Sequence, residues 1–114
     1  VTEFGEHVRA RREAAGLSVR QLAKQAGLDH SYLSRLELAK VGTYPPSEGK
    51  VQELAKVLGE DPDVLLAMTG RVSRELLKVI LSRPREFAQL IRQLKDAPAN
   101  AILRVVREVR DGEW

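Results

Sequence analysis

Residues 16–37, GLSVRQLAKQAGLDHSYLSRLE, hold two short amphipathic patterns separated by a single glycine. In the first, Leu22, Ala23 and Ala26 fall on one side of a helix that Ser18 is suited to cap and Gly27 to stop. In the second, Asp29 is suited to cap a helix over about residues 30–39, with Leu33 and Leu36 facing inward.

Two helices joined by a turn of about three or four residues containing glycine make a helix-turn-helix unit. In such a unit the second helix lies in the DNA major groove, with residues at its start reaching base edges. That geometry asks for apolar side chains inward and small or hydrogen-bonding ones outward. Leu28, Leu33 and Leu36 meet the first condition. His30, Ser31, Ser34 and Arg35 meet the second.

Outward from the pair the chain continues to read as helix, with no alternating β-branched run and no hairpin signal. The fold class expected is all-α. A first helix over about residues 3–15 sets Phe4, Val8, either Arg11 or Arg12, and Ala15 along one side, and ends at Gly16. The segment KVGTYPPSEGK, residues 40–50, is the most loop-like, since Pro45 and Pro46 forbid a continuous helix. Ser47 caps a fourth helix carrying Val51, Leu54, Ala55 and Leu58. A short fifth runs from Pro62 to about Met68 and stops at Gly70. Three further helices follow at about residues 73–81, 84–95 and 98–110. The last two carry matching stripes, Phe87-Leu90-Ile91-Leu94 and Ile102-Val105-Val106-Val109, at i, i+3, i+4, i+7. The expected organisation is a five-helix domain over residues 1–70 and a helical segment over 71–114.

Composition narrows the function classes. With 43% hydrophobic and 31% charged residues in 114, the chain reads as a soluble globular protein. It has no cysteine, so disulfide frameworks and thiolate zinc sites are excluded. No apolar run approaches the roughly 20 residues of a membrane span, and VTEFGEHVRARRE is no signal peptide. A cytoplasmic location follows as the expectation; the leading valine leaves open whether residues precede it. Net charge is +3, unevenly spread. Residues 1–40 hold seven Lys/Arg against five Asp/Glu, residues 41–70 two against five, and residues 71–114 ten against six. Binding to nucleic acid would therefore use a local patch rather than a uniformly positive body; the basic last segment reads equally as ordinary solvated helix faces. Catalysis has no support: His7 and His30 stand in unrelated contexts, and no Ser/His/Asp set, phosphate-cradling loop or metal-spaced cluster is visible. No cofactor is expected.

Through FGEHVRARREAAGLS, LAKQAGLDHSYLSRLE and PPSEGKVQELAKVLGEDPDVLL, the first 66 residues or so resemble the Cro/repressor-like (xenobiotic response element) family of bacterial and phage regulators. The resemblance implies a five-helix, lambda-repressor-like DNA-binding domain and a sequence-specific transcriptional regulator of double-stranded DNA; a repressor is expected rather than an activator, since repression needs only occupancy and no separate activation surface is evident. It also implies an ion pair between Arg12 and Glu37 bracing the recognition helix, which makes Arg12 structural.

The sequence departs from the family in three places. Val19 stands where the family commonly has glutamine, so the backbone contact must come from Ser18, Arg20, Gln21 or Lys24. Leu38-Ala39 replaces the usual Arg-Gly. The loop to the fourth helix is longer, which puts Lys40, Thr43 and Tyr44 in reach of phosphates, or leaves Tyr44 packed over the prolines. His30 sits at a position that often touches bases. Ser31 and Ser34 suit phosphate or base, and Arg35 suits a guanine or a phosphate. Tyr32 suits packing and DNA contact equally.

One helix-turn-helix covers few base pairs, and dimers place two recognition helices one DNA turn apart. The surplus apolar face of Leu76, Ile80, Phe87, Leu90, Ile91, Leu94, Ile102, Val105, Val106 and Val109 is expected to form a homodimer interface. The other readings are completion of the core and docking of a regulatory protein partner. The rival functions are a protein-interaction adaptor on the same scaffold and an antitoxin.

Overall fold

Four of the first five helices begin on a side chain that accepts a backbone N–H left free at the helix start. Ser18 Oγ accepts from the Gln21 amide, Asp29 Oδ2 from Tyr32, Ser47 Oγ from Lys50, and Asp61 Oδ1 from Asp63. The computed structural model describes residues 2–114. Its helices are α1 (Thr2–Ala14), α2 (Val19–Ala26), α3 (His30–Glu37), α4 (Glu48–Leu58), α5 (Pro62–Ala67), α6 (Arg74–Ser82), α7 (Pro84–Leu94) and α8 (Ala99–Asp111). All the regular structure among the described residues is helical, and no described helix is long and apolar enough to cross a membrane.

The chain divides into two compact units, Val1–Arg74 and Glu75–Trp114. The division falls four residues beyond the expected one at 70. Residues 71–74 go with the first unit because they are bonded to it: Arg71 donates to the Pro46 carbonyl, and the Arg74 amide donates to Glu48 Oε1 at 3.0 Å.

The core of the first unit is Phe4 and Val8 of α1, Leu22, Ala23 and Ala26 of α2, Leu33 and Leu36 of α3, Val51, Leu54, Ala55 and Leu58 of α4, and Leu65 and Leu66 of α5. Helices of eight residues are marginal by themselves. Burial of Leu22, Leu33 and Leu36, about 1.5–3 kcal/mol for each fully buried side chain, holds α2 and α3 in place. Among the described residues, the helices that supply this core are α1–α5.

Three details differ from the sequence expectation. Ala15 lies beyond the end of α1 and is exposed. At the Arg11-or-Arg12 position, Arg12 is the one turned inward; Arg11 is exposed and pairs with Glu60 Oε1 at 3.0 Å. The third helix stops at Glu37 rather than Ala39, because Ala39 adopts φ +52°. That left-handed conformation ends a right-handed helix and is unfavourable for an L-residue by about 1–2 kcal/mol.

The second unit contains no buried residue in α7 or α8, and α6 buries none either. Within it, Leu90, Leu94, Ile102, Val105, Val106 and Val109 line one apolar hollow of about 440 Å³, with Arg110 at its edge.

Candidate DNA-binding surface

The orientation of α3 is set from its inner side, by α1. Gly5 lies so close to α3 that a Cβ there would sit 2.2 Å from the Leu36 carbonyl oxygen. Farther along the same two helices, Arg12 grips Glu37 bidentately: Nε donates to Oε2 at 2.8 Å and a terminal nitrogen donates to Oε1 at 2.9 Å. The other terminal nitrogen donates to the Leu17 carbonyl at 2.8 Å, tying in the segment that enters α2. The Glu37 side chain is 3% exposed and that of Arg12 11%. The hydrogen bond to Glu37 holds the Arg12 guanidinium above its ordinary value, with burial opposing and the charges of Glu37 and Glu13 adding to it. Each of the three guanidinium nitrogens thus donates to a protein partner.

The turn between α2 and α3 is fixed as well. Gly27 takes φ +69°, a region glycine enters without strain. The Leu28 amide closes the end of α2 onto the Ala23 carbonyl at 2.8 Å. From α4, Lys50 Nζ donates to the Gly27 carbonyl at 2.8 Å, placing a cation at the negative end of α2.

On the outer side, His30, Ser31 and Arg35 are exposed and Ser34 is half-buried. No side-chain hydrogen bond or ion pair to another described residue holds any of these four. They are free to meet a ligand. Tyr32 is half-buried, packs against the core, and donates its hydroxyl to the Tyr44 carbonyl. Burial pushes the Tyr32 phenol above its ordinary value, and the charges of Arg71 and Arg35 pull the other way.

At the start of α2, Ser18 and Gln21 form a reciprocal cap. The Ser18 amide donates to Gln21 Oε1 at 2.7 Å, and Ser18 Oγ accepts from the Gln21 amide at 3.1 Å. Gln21, Arg20 and Lys24 are all exposed. Val19 packs against the core. On the loop after α3, Lys40 and Tyr44 are exposed and Thr43 is half-buried. Tyr44, at 82% exposure, is not packed over the prolines.

The helix-turn-helix domain family profile matches residues 3–68, more than half of the chain. The chain belongs to the helix-turn-helix domain family. Relatives of this helix-turn-helix protein agree with the assignment. An uncharacterized HTH-type transcriptional regulator of Mycobacterium tuberculosis (strain H37Rv) is 36% identical over 66 residues, 58% of this chain and 45% of the relative. The uncharacterized HTH-type transcriptional regulator RghRB of Bacillus subtilis (strain 168) is 33% identical over 72 residues, 63% of this chain and 50% of the relative. The matches thus span about half the length of these relatives. A chain of the SinR protein/SinI protein complex is similar in fold, with a TM-score of 0.52 over 94% of both chains at 19% identity.

Sequence reasoning missed four anchoring side chains or positions around this surface: Gly5, Lys50, Arg71 and Glu60. Glu60 accepts from Arg11 and lies 2.7 Å from His7 Nε2, fastening α1 to the turn after α4. Of the four, only Gly5 left a visible trace, a glycine inside a helix where alanine would be better by about 0.5–1 kcal/mol. Such a residue marks a close approach.

Proposed function

We propose that this helix-turn-helix protein is a sequence-specific, double-stranded-DNA-binding transcriptional regulator that places α3 in the major groove. It works in the cytoplasm as a homodimer joined through residues 71–114, and it represses by occupying its site. The observation that carries the reading is the outer face of α3: His30, Ser31, Ser34 and Arg35 are unengaged on a helix whose inner face is fixed to α1.

On this reading Arg35 takes a guanine edge bidentately, a contact worth about 1–3 kcal/mol of discrimination. His30 donates or accepts at a neighbouring base, and Ser31 and Ser34 bond base or phosphate. Ser18, Arg20, Gln21 and Lys24 at the start of α2, with Lys40, Thr43 and Tyr44 on the loop, serve the sugar-phosphate backbone. Tyr32 supports the loop. The names of the relatives, both HTH-type transcriptional regulators, support the DNA-binding part. Repression requires occupancy alone, so no catalytic chemistry or cofactor enters. The dimer is supported by the uncovered apolar stripes of α7 and α8.

The test is selection of bound sites from fragmented genomic DNA near physiological salt. The expected product is an inverted repeat with half-sites one helical turn, or a multiple, apart. His30→Ala combined with Arg35→Ala should abolish enrichment while leaving the melting curve unchanged; retained enrichment would clear α3 of the role.

A second reading, a protein-interaction adaptor or antitoxin on the same scaffold, draws on Val19, which is turned into the core where the resembled family offers a glutamine. The SinR neighbour is itself seen with a second protein. Salt separates the readings: binding to DNA weakens steeply as salt rises, with a slope near −0.9 per phosphate contacted.

A further inference from the structure

Residues 68–73 join α5 to α6, and they are not slack. The amides of Met68, Thr69 and Gly70 fold back onto the Val64, Leu66 and Ala67 carbonyls of α5. Thr69 Oγ1 donates to the Leu66 carbonyl at 2.6 Å and accepts from Arg71 Nε at 2.8 Å. A terminal nitrogen of the same guanidinium donates to the Pro46 carbonyl. Pro46 and Ser73 are buried and Arg71 is half-buried, so the segment lies against the first unit instead of standing off it. The last bond falls on Arg74, whose amide donates to Glu48 Oε1 at 3.0 Å. Arg74 is also the first residue of α6, so no non-helical residue separates that bond from the helix that leads into the second unit.

The ledge that receives Arg71 is itself tied to α3. Tyr32 donates its hydroxyl to the Tyr44 carbonyl, close in sequence to Pro46. Glu48 opens α4, whose Val51 and Leu54 belong to the same core as Leu33 and Leu36 of α3. The chain therefore leaves the first unit from a point registered to α3.

A dimer would read two half-sites through two such exits. Half-sites lie about one DNA turn, roughly 34–36 Å, apart, and each base pair turns the second site by about a tenth of a turn. It also adds roughly 3.4 Å. Were residues 71–73 free, each copy would gain a tether reaching about 10 Å at full extension, the length of about three base pairs. A clamped exit cannot supply that reach.

We propose that Arg71 and Glu48 are positioning residues for operator spacing. The strap they form removes slack between the DNA-binding unit and the dimerising one, so the protein discriminates the distance between half-sites as well as their sequence. The inference rests on the dimeric DNA-binding reading above. Neither side chain touches DNA in this role. A guanidinium suits it because the planar fork holds two acceptors at once, which an ammonium cannot do with the same geometry.

Two measurements on the whole chain test it. In the free protein, the Arg74 amide should exchange slowly in wild type and in Glu48→Gln, which keeps an acceptor oxygen, and at the open-chain rate in Glu48→Ala. An open-chain rate in wild type would overturn the proposal, since no strap would exist. Binding is then measured on the inverted repeat recovered by site selection, on versions with one or two base pairs inserted or removed at its centre, and on a single half-site. Wild type should lose at least about tenfold on a two-base-pair change, because joint engagement of linked sites adds about 10²–10⁴ to affinity. Arg71→Ala combined with Glu48→Ala should bind all spacings within about threefold of one another. It should remain dimeric by sedimentation and match wild type on the half-site. Glu48→Gln should keep the wild-type profile, and Arg71→Lys, with a single bond left, should fall between. A double variant with the wild-type spacing profile, or a wild type indifferent to spacing, would overturn the proposal. So would a loss on the single half-site, which would make these residues part of the DNA contact or of the fold. Failure of the underlying reading looks different. Absent or salt-independent binding refutes DNA recognition, and a monomeric wild type refutes the dimer; either takes the proposal with it, while amide exchange still reports on the strap.

Discussion

Removing Arg12 should cost this protein far more than its ion pair with Glu37 contributes. The Glu37 carboxylate is 3% exposed, and both its oxygens are satisfied by Arg12. Arg12→Met leaves a buried carboxylate with neither bond. Each hydrogen bond to a charged group is worth about 1.5–3 kcal/mol, so two suggest a loss of about 3–6 kcal/mol. Broken buried pairs typically cost about 3–5 kcal/mol. The Leu17 carbonyl loses its donor too. For a unit of this size, 1 kcal/mol moves the midpoint by about 4–8 °C, so Arg12→Met should melt at least about 12 °C lower or fail to fold. The double variant Arg12→Met, Glu37→Leu removes the orphaned charge along with its partner and should recover most of the loss. Thermal and urea denaturation of the four proteins gives the coupling directly. Equal destabilisation by Arg12→Met in the wild-type and Glu37→Leu backgrounds would refute the bracing argument. So would a variant that melts normally and loses only DNA affinity. The raised Arg12 value adds no pH dependence in the neutral range: the stability it contributes is present below the unfolded value and lost only as pH climbs through the still higher folded one.

Three other outcomes are expected. Gly5→Ala forces a methyl into the Leu36 carbonyl and should destabilise by about 1–3 kcal/mol or more, read as a lower melting midpoint; an unchanged midpoint would show that α1 can shift freely. In a Tyr44→Phe protein Tyr32 is the sole tyrosine, and its phenolate absorbance should rise with a midpoint above the ordinary 10.0. The folded value is the raised one, so the stability Tyr32 contributes is complete below the unfolded value and falls as pH rises through the folded value; Tyr32→Phe should remove that alkaline loss. Leu90→Glu with Val105→Glu places two carboxylates in the hollow of the second unit and should turn the proposed homodimer into monomers by sedimentation; a dimer that survives would move the interface elsewhere.

Much of the fold was legible because its signals are local. Ser18, Asp29 and Ser47 announce helix starts within three residues of the amides they cap, and Pro62 marks another. Leu22, Leu33, Leu54 and their neighbours declare the inner face by spacing alone. The end of α3 was misplaced by two residues because nothing in Leu38-Ala39 signals a left-handed turn, where glycine would have. The outer face of α3 was readable by the same periodicity, read in reverse. Lys50 to Gly27, Arg71 to Pro46 and Arg11 to Glu60 were not, since each joins residues more than twenty positions apart and each lysine or arginine looks like any solvated charge until the chain is folded. The Arg12–Glu37 pair is equally distant, and only the family resemblance pointed to it.

The groups that set the angle of α3, Gly5, Arg12, Glu37 and the buried leucines, share no residue with the face that His30, Ser31 and Arg35 present. That separation makes the outer positions cheap to change. Exchanging them alters which surface chemistry is offered while touching none of the contacts on which folding depends, and surface substitutions of that kind usually stay within about 0.5 kcal/mol. A scaffold built this way can acquire a new target through a few substitutions without first losing its structure, so divergence in what it recognises can run ahead of divergence in how it folds.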